Sequence, residues 1–212
     1  MLIGSSLVIG IVAGAALGRV VGNRQGAVVG TLVGAVVCLV YAYLLSAGLL
    51  VPTVTTSSTL TVVAAVLCGL QGGLFYAFST AVMLALARQP HPSGMATMQT
   101  INVVVFNPWF GGAFSLAPAC CALAMVTALA RWHAPDAPWV IAGGAIFLIG
   151  TLGVTALCNV PRNDALEAIP ATDQGAPELW SRYLREWTFW NHVRSGSALV
   201  AAALLTIAIV NA

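Results

Sequence analysis

The sequence contains no lysine, and it is poor in charge of either sign. Its eight basic side chains are all arginine, Asp and Glu together number 6, and only 7% of the residues are charged. A soluble domain carries roughly 25% charged residues. With 59% hydrophobic residues and a mean hydropathy of +0.94, the chain is predicted to be an all-α membrane protein. This composition excludes a water-soluble fold and gives no basic surface for nucleic acid.

The sequence also lacks the motifs that mark common cofactor sites. No CxxC or Cys/His spacing occurs, and the five cysteines all lie in apolar runs. We therefore predict that they pack as small apolar groups without disulfides. No flavin, nicotinamide or haem motif is present, and the glycine-flanked turn at residues 22–26 follows no strand and is not a phosphate loop. The sequence predicts no cofactor.

Long hydrophobic runs, in contrast, are abundant. They predict six transmembrane helices of about 20 residues each, at residues 2–21, 26–51, 59–88, 109–130, 139–158 and 195–210. A short helix at residues 93–106 is expected before the fourth of these. An amphipathic helix beginning near Pro177 is expected to lie in the membrane interface and to lead into the last span. Residues 1–6 carry no basic segment, so the first run is expected to be a retained span and not a signal peptide.

Glycines repeat every four residues through the first two spans. Such a stripe lets two helix backbones touch. Residues 1–51 are therefore predicted to form a glycine-zipper hairpin, and residues 59–211 a separate four-span bundle. The stripe either packs the hairpin internally or offers a surface to a second copy or a partner helix. Its members are Gly10, Gly14, Gly18, Gly22, Gly26, Gly30 and Gly34.

The arginines are distributed unevenly between the two sides of the predicted bundle. The loops after the second and fourth predicted spans lie on the same side of the membrane, and only Arg131 falls on that side. The positive-inside rule places the arginine-rich side in the cytoplasm. The prediction is an integral plasma (inner) membrane protein with both termini on the non-cytoplasmic side. The arginines of the cytoplasmic side are Arg19, Arg24, Arg88, Arg162, Arg182, Arg185 and Arg194.

Polar side chains of the later spans gather at this arginine-rich side. On a helix, Trp187, Asn191 and Arg194 share one face because their spacing is i, i+4, i+7. Amides at membrane depth are costly unless they pair or line a cavity. Two interpretations stay open: a hydrogen-bonded clasp that closes the bundle, or a polar pocket for a small molecule. The side chains at this level are Gln99, Asn102, Asn107, Asn159, Asn163, Trp187, Asn191, His192 and Arg194.

A pocket built from these residues could handle an electron-rich aromatic compound. His192 would act as the base, and Arg194 and Asn191 would donate to a developing oxyanion, with Gln99 and Asn102 as further donors. Aromatic side chains would stack on flat rings; they are Trp187, Trp190, Tyr76 and Phe78. A copper site is the alternative to cofactor-free chemistry; its ligands would be His91, His192, Met95 and Met98.

Six short motifs resemble, in order, those of the anthrone oxygenase-like family of small four-span membrane proteins. The motifs are GLFYAFS at residues 73–79, VM at 82–83, MQTIN at 98–102, NPWF at 107–110, NVPRN at 159–163 and WTFWNHVR at 187–194. The resemblance covers residues 60–211. The hairpin at residues 1–51 is outside the usual pattern, and Arg162 stands where an apolar residue is common.

The resemblance implies a function for the pocket. Family members named for a reaction oxidise anthrones to anthraquinones, so a hydrophobic aromatic substrate and a monooxygenase-type oxidation are expected. This expectation comes from likeness and not from the residues alone. Two other classes remain: a membrane scaffold or lipophile-binding subunit of a larger complex, and a transporter. No inverted repeat supports the transporter.

Overall fold

The computed structural model describes residues 54–105 and 107–212, and the predicted glycine-zipper hairpin lies outside them. Every regular element in these residues is helical. Four stretches are long and apolar enough to cross a membrane, so the described part is a bundle typical of a membrane protein. The six-span prediction is thus confirmed for its last four spans. These are Ser58–Ala87, Phe110–Ala130, Ala137–Glu167 and Ala176–Val210.

Seven α-helices build the bundle, with three π-helical turns inside two of the spans. Helix α1 passes through the first π-turn into α2, and α5 passes through the other two into α6. The helices are α1 (Val54–Ala77), α2 (Met83–Ala87), α3 (His91–Val104), α4 (Pro108–Ala130), α5 (Ala137–Ile146), α6 (Val160–Glu167) and α7 (Ala176–Val210). The π-turns are Phe78–Val82, Phe147–Gly153 and Thr155–Asn159.

The third described span is longer than predicted. The sequence places its end near Cys158, before the polar run that contains Pro161, but the chain stays helical to Glu167. Proline normally breaks a helix because it lacks an N–H and clashes with the preceding turn. Here Pro161 lies in the first turn of α6, directly after the π-turn Thr155–Asn159. At that position no backbone donor is needed, so the span continues.

The predicted interfacial helix and the last span form one helix, α7, of 35 residues. The stripe predicted to face the membrane surface instead packs on protein. Trp180, Tyr183 and Trp187 are buried against α2, α3 and α6 in a small core. The amphipathic pattern of residues 176–194 therefore reflects packing inside the bundle.

Glycines allow the long helices to approach closely. A Cβ atom on Gly72 of α1 would lie 2.8 Å from Cδ2 of Leu199 and 3.2 Å from its backbone nitrogen. Only a residue without a side chain fits there, as is common where membrane helices touch. This contact fixes α7 against α1 at mid-span.

Two connections between helices lie at one end of the bundle. We call it the arginine-rich end: α2 and α6 end there, and α7 begins there. The expected break at Asn107–Pro108 occurs: α3 ends at Val104 and α4 begins at Pro108. The side chain of Asn107 accepts a hydrogen bond from the backbone N–H of Phe110 at 3.0 Å, as an N-cap does. The short helix expected at residues 93–106 starts two residues earlier, at His91, and its N-cap is Pro90.

The main core lies between α1, α4, α5 and α7, and it is made of alanine, cysteine, leucine and phenylalanine. The cysteines of the described residues are free. The thiols of Cys68 on α1 and Cys121 on α4 are in contact, with their Sγ atoms 3.6 Å apart. Small side chains of this kind let the helices pack tightly.

Candidate functional site

A half-open cavity of about 80 Å³ lies between the helices toward the arginine-rich end. Every span contributes to it, together with the short helix α3. The walls are mostly apolar and aromatic, and the polar groups are few. The lining residues are Leu74, Phe75, Phe78, Met98, Ile101, Asn102, Val105, Phe110, Phe114, Thr155, Val160, Asn163, Trp187 and Arg194.

Arg194 of α7 is the charged residue of this lining, and it is only 7% exposed. Its guanidinium carbon lies 4.0 Å from the centroid of the Phe75 ring and 5.0 Å from that of Trp187. Such cation–π contacts stabilise a cation that has left water. Its Nε donates to Asn191 Oδ1 at 2.8 Å and its Nη1 to Thr155 Oγ1 at 3.3 Å. All these partners are neutral.

The ion pairs found among residues 54–105 and 107–212 are Arg131–Asp136 and Arg162–Glu186. Neither includes Arg194. A buried cation without a carboxylate partner is costly, and inside a membrane protein such a group usually marks a functional site. The arrangement therefore favours a cavity that receives negative charge from elsewhere.

Asn191 fixes the position of Arg194. Its side chain is fully buried, and its Nδ2 donates to the backbone oxygen of Phe75 at 2.7 Å and to Ser79 Oγ at 2.6 Å. The same amide accepts from Arg194. Since Ser79 lies in the first π-turn, which frees backbone groups from the regular pattern, the clasp between α1 and α7 forms at that turn. Asn191 thus positions the guanidinium and does not line the cavity.

Asn163 of α6 joins the aromatic wall to the third span. Its Oδ1 accepts from Tyr183 Oη at 2.9 Å and from Trp187 Nε1 at 2.8 Å. The rings of Tyr183 and Trp187 are stacked, with centroids 5.8 Å apart. The indole that forms one cavity wall is therefore held from both sides and has little freedom to rotate.

Two buried amides keep an atom without a partner in the described part of the chain. They are Nδ2 of Asn102, which belongs to the cavity lining, and Oδ1 of Asn159. The other end of Asn159 donates to the backbone oxygen of Trp187 at 3.2 Å. Buried polar atoms are nearly always paired, so each exception calls for an explanation. In the case of Asn102 the free donor belongs to a residue that faces the cavity.

Several residues predicted for the site lie elsewhere. Gln99 donates to the backbone oxygens of Leu166 and Ile169 and so binds the end of α6. Asn107 caps α4. Tyr76 is 58% exposed on α1, Trp190 is half-buried against Phe189, and His192 is exposed on α7. None of these side chains lines the cavity.

The residues predicted as copper ligands lie on two helices, α3 and α7. Met95 and Met98 are buried in the small core around Trp180, His91 lies at the start of α3, and His192 is exposed on α7. Within residues 54–105 and 107–212, no group of three or more His, Cys, Asp or Glu side chains could hold a metal ion.

Sequence reasoning missed several cavity residues, and for one of them a signal existed. Thr151, Thr155 and Asn159 lie four residues apart, which is a polar stripe on one face of the third span. All three are buried: Thr155 accepts from Arg194, and Thr151 donates to the Arg194 backbone oxygen at 3.1 Å. Phe75, Phe110 and Phe114 gave no such signal because phenylalanine is ordinary in any span.

The geometry allows a limited chemistry. Among the described residues, the lining offers one cation, free or partly used amides, a threonine hydroxyl and aromatic walls, and it contains no carboxylate and no imidazole. Donors of this kind stabilise an oxyanion or bind an aromatic anion. They do not supply a nucleophile or an ordinary general base.

Comparison with family models gives a match over just under half of the chain. The family model of anthrone oxygenase matches residues 106–204. This range includes the motifs at residues 107–110, 159–163 and 187–194, whereas the motifs at residues 73–102 precede it. No curated protein matches the chain, and no solved structure does. This match supports the resemblance to the anthrone oxygenase-like family that the motifs predict.

Proposed function

We propose that this protein is a membrane-embedded oxygenase that oxidises a flat, hydrophobic, anthrone-type ketone to a quinone without a cofactor. The observation that carries the proposal is the buried, ion-pair-free guanidinium of Arg194 in the wall of an aromatic cavity. The family match supports the reaction class. The substrate would place one edge beside Arg194, and its remaining rings would extend through the open side of the cavity.

The reaction can be written without an added reductant. An anthrone loses the proton from its ring carbon and becomes an enolate, which gives one electron to O₂. The resulting radical and superoxide combine to a peroxide anion at that carbon, which takes a proton from water and becomes a hydroperoxide. Loss of water from the hydroperoxide leaves the second carbonyl, so one anthrone and one O₂ give one quinone and one water.

Arg194 and the neighbouring donors would lower the energy of the enolate. The charge develops on the carbonyl oxygen, where a fixed cation in a dry site is most effective. Phe75, Phe78 and Trp187 would hold the rings. Because the lining contains no carboxylate or imidazole, the proton would pass to water at the open side. His192, the base suggested by the sequence, is exposed and is given no role here.

The surroundings of the site follow from the arginine distribution. The cavity would lie toward the cytoplasmic side of the plasma (inner) membrane, with both termini on the other side. Substrate would arrive from the lipid bilayer. Residues 1–51 would form their own hairpin beside the bundle of residues 59–211, and the Gly10–Gly34 stripe would bind a partner helix or a second copy.

A membrane scaffold or lipophile-binding subunit is the second candidate. The clasp of Asn191 with Phe75 and Ser79 favours it, since those polar groups are satisfied within the protein. In that case the cavity would hold a lipid tail or a hydrophobic ligand without reaction.

Quinone formation in lipid nanodiscs tests the proposal. Reduced anthrone and oxygen are mixed with the wild-type protein, with Arg194→Gln, and with Arg185→Gln. Arg185 is an exposed arginine of the same helix whose guanidinium donates to Ser181. We expect the wild type and Arg185→Gln to exceed the rate of empty nanodiscs, and Arg194→Gln to lose at least about 100-fold. If the wild-type protein forms quinone no faster than empty nanodiscs, the oxygenase is rejected and the binding-subunit candidate is favoured.

A further inference from the structure

Among the described residues, the positive charge of Arg194 is held in place but has no carboxylate partner. Its neighbours are the rings of Phe75 and Trp187, the amide of Asn191 and the hydroxyl of Thr155. The titratable group that interacts with it electrostatically is Tyr183, whose hydroxyl already donates to Asn163. The nearest acidic side chain of α7, Glu186, is paired with Arg162.

A second donor in the same lining is also unused. Nδ2 of Asn102 on α3 makes no hydrogen bond among the described residues. The Tyr183 hydroxyl lies near this amide, but no hydrogen bond joins the two groups, and the hydroxyl donates to Asn163. Asn102 and Arg194 come from different helices, and both line the cavity. A free cation and a free N–H in one cavity are both satisfied by a ligand that carries oxygen acceptors and a negative charge.

We infer that the cavity selects its ligand by charge: it binds planar aromatic compounds as monoanions, with an ionised oxygen at Arg194 and a second acceptor oxygen at Asn102. This inference rests on the cavity of the proposed function but not on the reaction. It names the ligand class as acidic aromatic ketones, that is, enolates and phenolates. The ligand provides the negative charge that balances Arg194, and uncharged aromatic compounds of the same shape bind weakly.

Comparing the binding of two anthraquinones of similar shape tests the effect of charge alone. 2-Hydroxyanthraquinone ionises and changes its visible absorption when it does so, whereas 2-methylanthraquinone cannot ionise. Both are already at the quinone level of oxidation, so their binding does not depend on catalysis. Wild-type protein in nanodiscs is titrated with each at a pH below the pKa of the free hydroxyl compound, with empty nanodiscs as the blank.

We expect the bound hydroxyl compound to show the absorption of its anion and to bind at least about tenfold more tightly than the methyl compound. Arg194→Gln should remove both the anion spectrum and the preference, and Arg185→Gln should keep them. Equal binding of the two compounds, or a bound hydroxyl compound with the neutral spectrum, would overturn the inference.

Asn102→Asp gives a second test if Arg194→Gln fails to fold. The substitution keeps the shape of the side chain and places a carboxylate in the cavity, so the protein itself supplies the counter-charge. We expect it to lose the preference for the hydroxyl compound while retaining 2-methylanthraquinone. Asn211→Asp, at the far end of α7, is the matched control and should bind like the wild type. An unchanged preference in Asn102→Asp would contradict the inference.

The outcomes separate this inference from the proposed function. Anion-selective binding without quinone formation from anthrone would keep the ligand class and reject the oxygenase. Quinone formation together with equal binding of the two anthraquinones would keep the oxygenase and reject selection by charge.

Discussion

At the scale of single residues, the amide of Asn191 joins α1, α7 and the cavity. It donates to Phe75 and Ser79 and accepts from Arg194, so replacing it leaves three polar groups inside the bundle without a partner. Hydrogen bonds between membrane helices contribute on average about 0.6 kcal/mol and at most about 1.7 kcal/mol each.

Asn191→Ala is therefore expected to lower the free energy of unfolding by about 2 kcal/mol, measured by denaturant titration in mixed micelles. Asn211→Ala, which removes only an exposed amide at the end of α7, is the control and should change the unfolding free energy little. A stability of Asn191→Ala equal to that of the wild type would show that the clasp does not hold α1 to α7.

His192 and Arg194 belong to one sequence motif but face different surroundings. Residues two apart on a helix lie on different faces, and accordingly Arg194 is buried while His192 is exposed. We expect His192→Ala to form quinone within about twofold of the wild-type rate, because the imidazole does not line the cavity. The sequence-based assignment of His192 as the base requires a large loss instead, and the same anthrone assay distinguishes the two.

At the scale of helices, α1 and α7 depend on a close approach at Gly72. A Cβ atom there would meet Leu199, whereas a Cβ atom on the next residue, Gly73, would have nothing within 4 Å. We expect Gly72→Ala to destabilise the bundle by about 1–3 kcal/mol through overpacking.

Gly73→Ala is the matched control for this prediction. The substitution should be neutral or should stabilise the protein by up to about 1 kcal/mol, since alanine is the better helix former. Both variants are compared by the same unfolding titration. Equal effects of the two substitutions would contradict the packing described for α1 and α7.

Helix α3 covers the cavity and is attached to α6 through Gln99. Its Nε2 donates to the backbone oxygens of Leu166 at 2.8 Å and Ile169 at 3.0 Å. Gln99→Met keeps the length of the side chain but removes both bonds. We expect faster amide hydrogen exchange across His91–Val104 with little change in α4, measured by mass spectrometry. Unchanged exchange in α3 would show that other contacts hold it.

At the scale of the whole molecule, the sequence predicted the bundle well and the site in part. Hydrophobic runs are long and clear, so the last four spans were predicted, and the i, i+4, i+7 spacing correctly placed Trp187, Asn191 and Arg194 on one buried face. Side-chain direction across helices was not predictable. Gln99 and Asn107 are at the right end of the bundle, but they bind helix ends there because backbone groups need partners.

The extended third span was missed for a related reason. Polar residues at a span's end predict an exit from the helix, whereas tertiary partners keep the helix intact. Asn159 and Asn163 bind Trp187 and Tyr183 of α7. These amides are buried because a neighbouring helix covers them, and the local sequence pattern does not predict that contact.

The most direct test of the cavity is to locate a bound ligand. Irradiated anthraquinones abstract hydrogen from nearby C–H groups and leave covalent adducts, so the protein in nanodiscs is irradiated with 2-hydroxyanthraquinone and mapped by peptide mass spectrometry. We predict adducts on Met98, Ile101 and other cavity residues, suppressed in Arg194→Gln and present in Arg185→Gln. Adducts confined to lipid-facing residues such as Tyr76 and Leu199 in the wild type would contradict a binding site at Arg194.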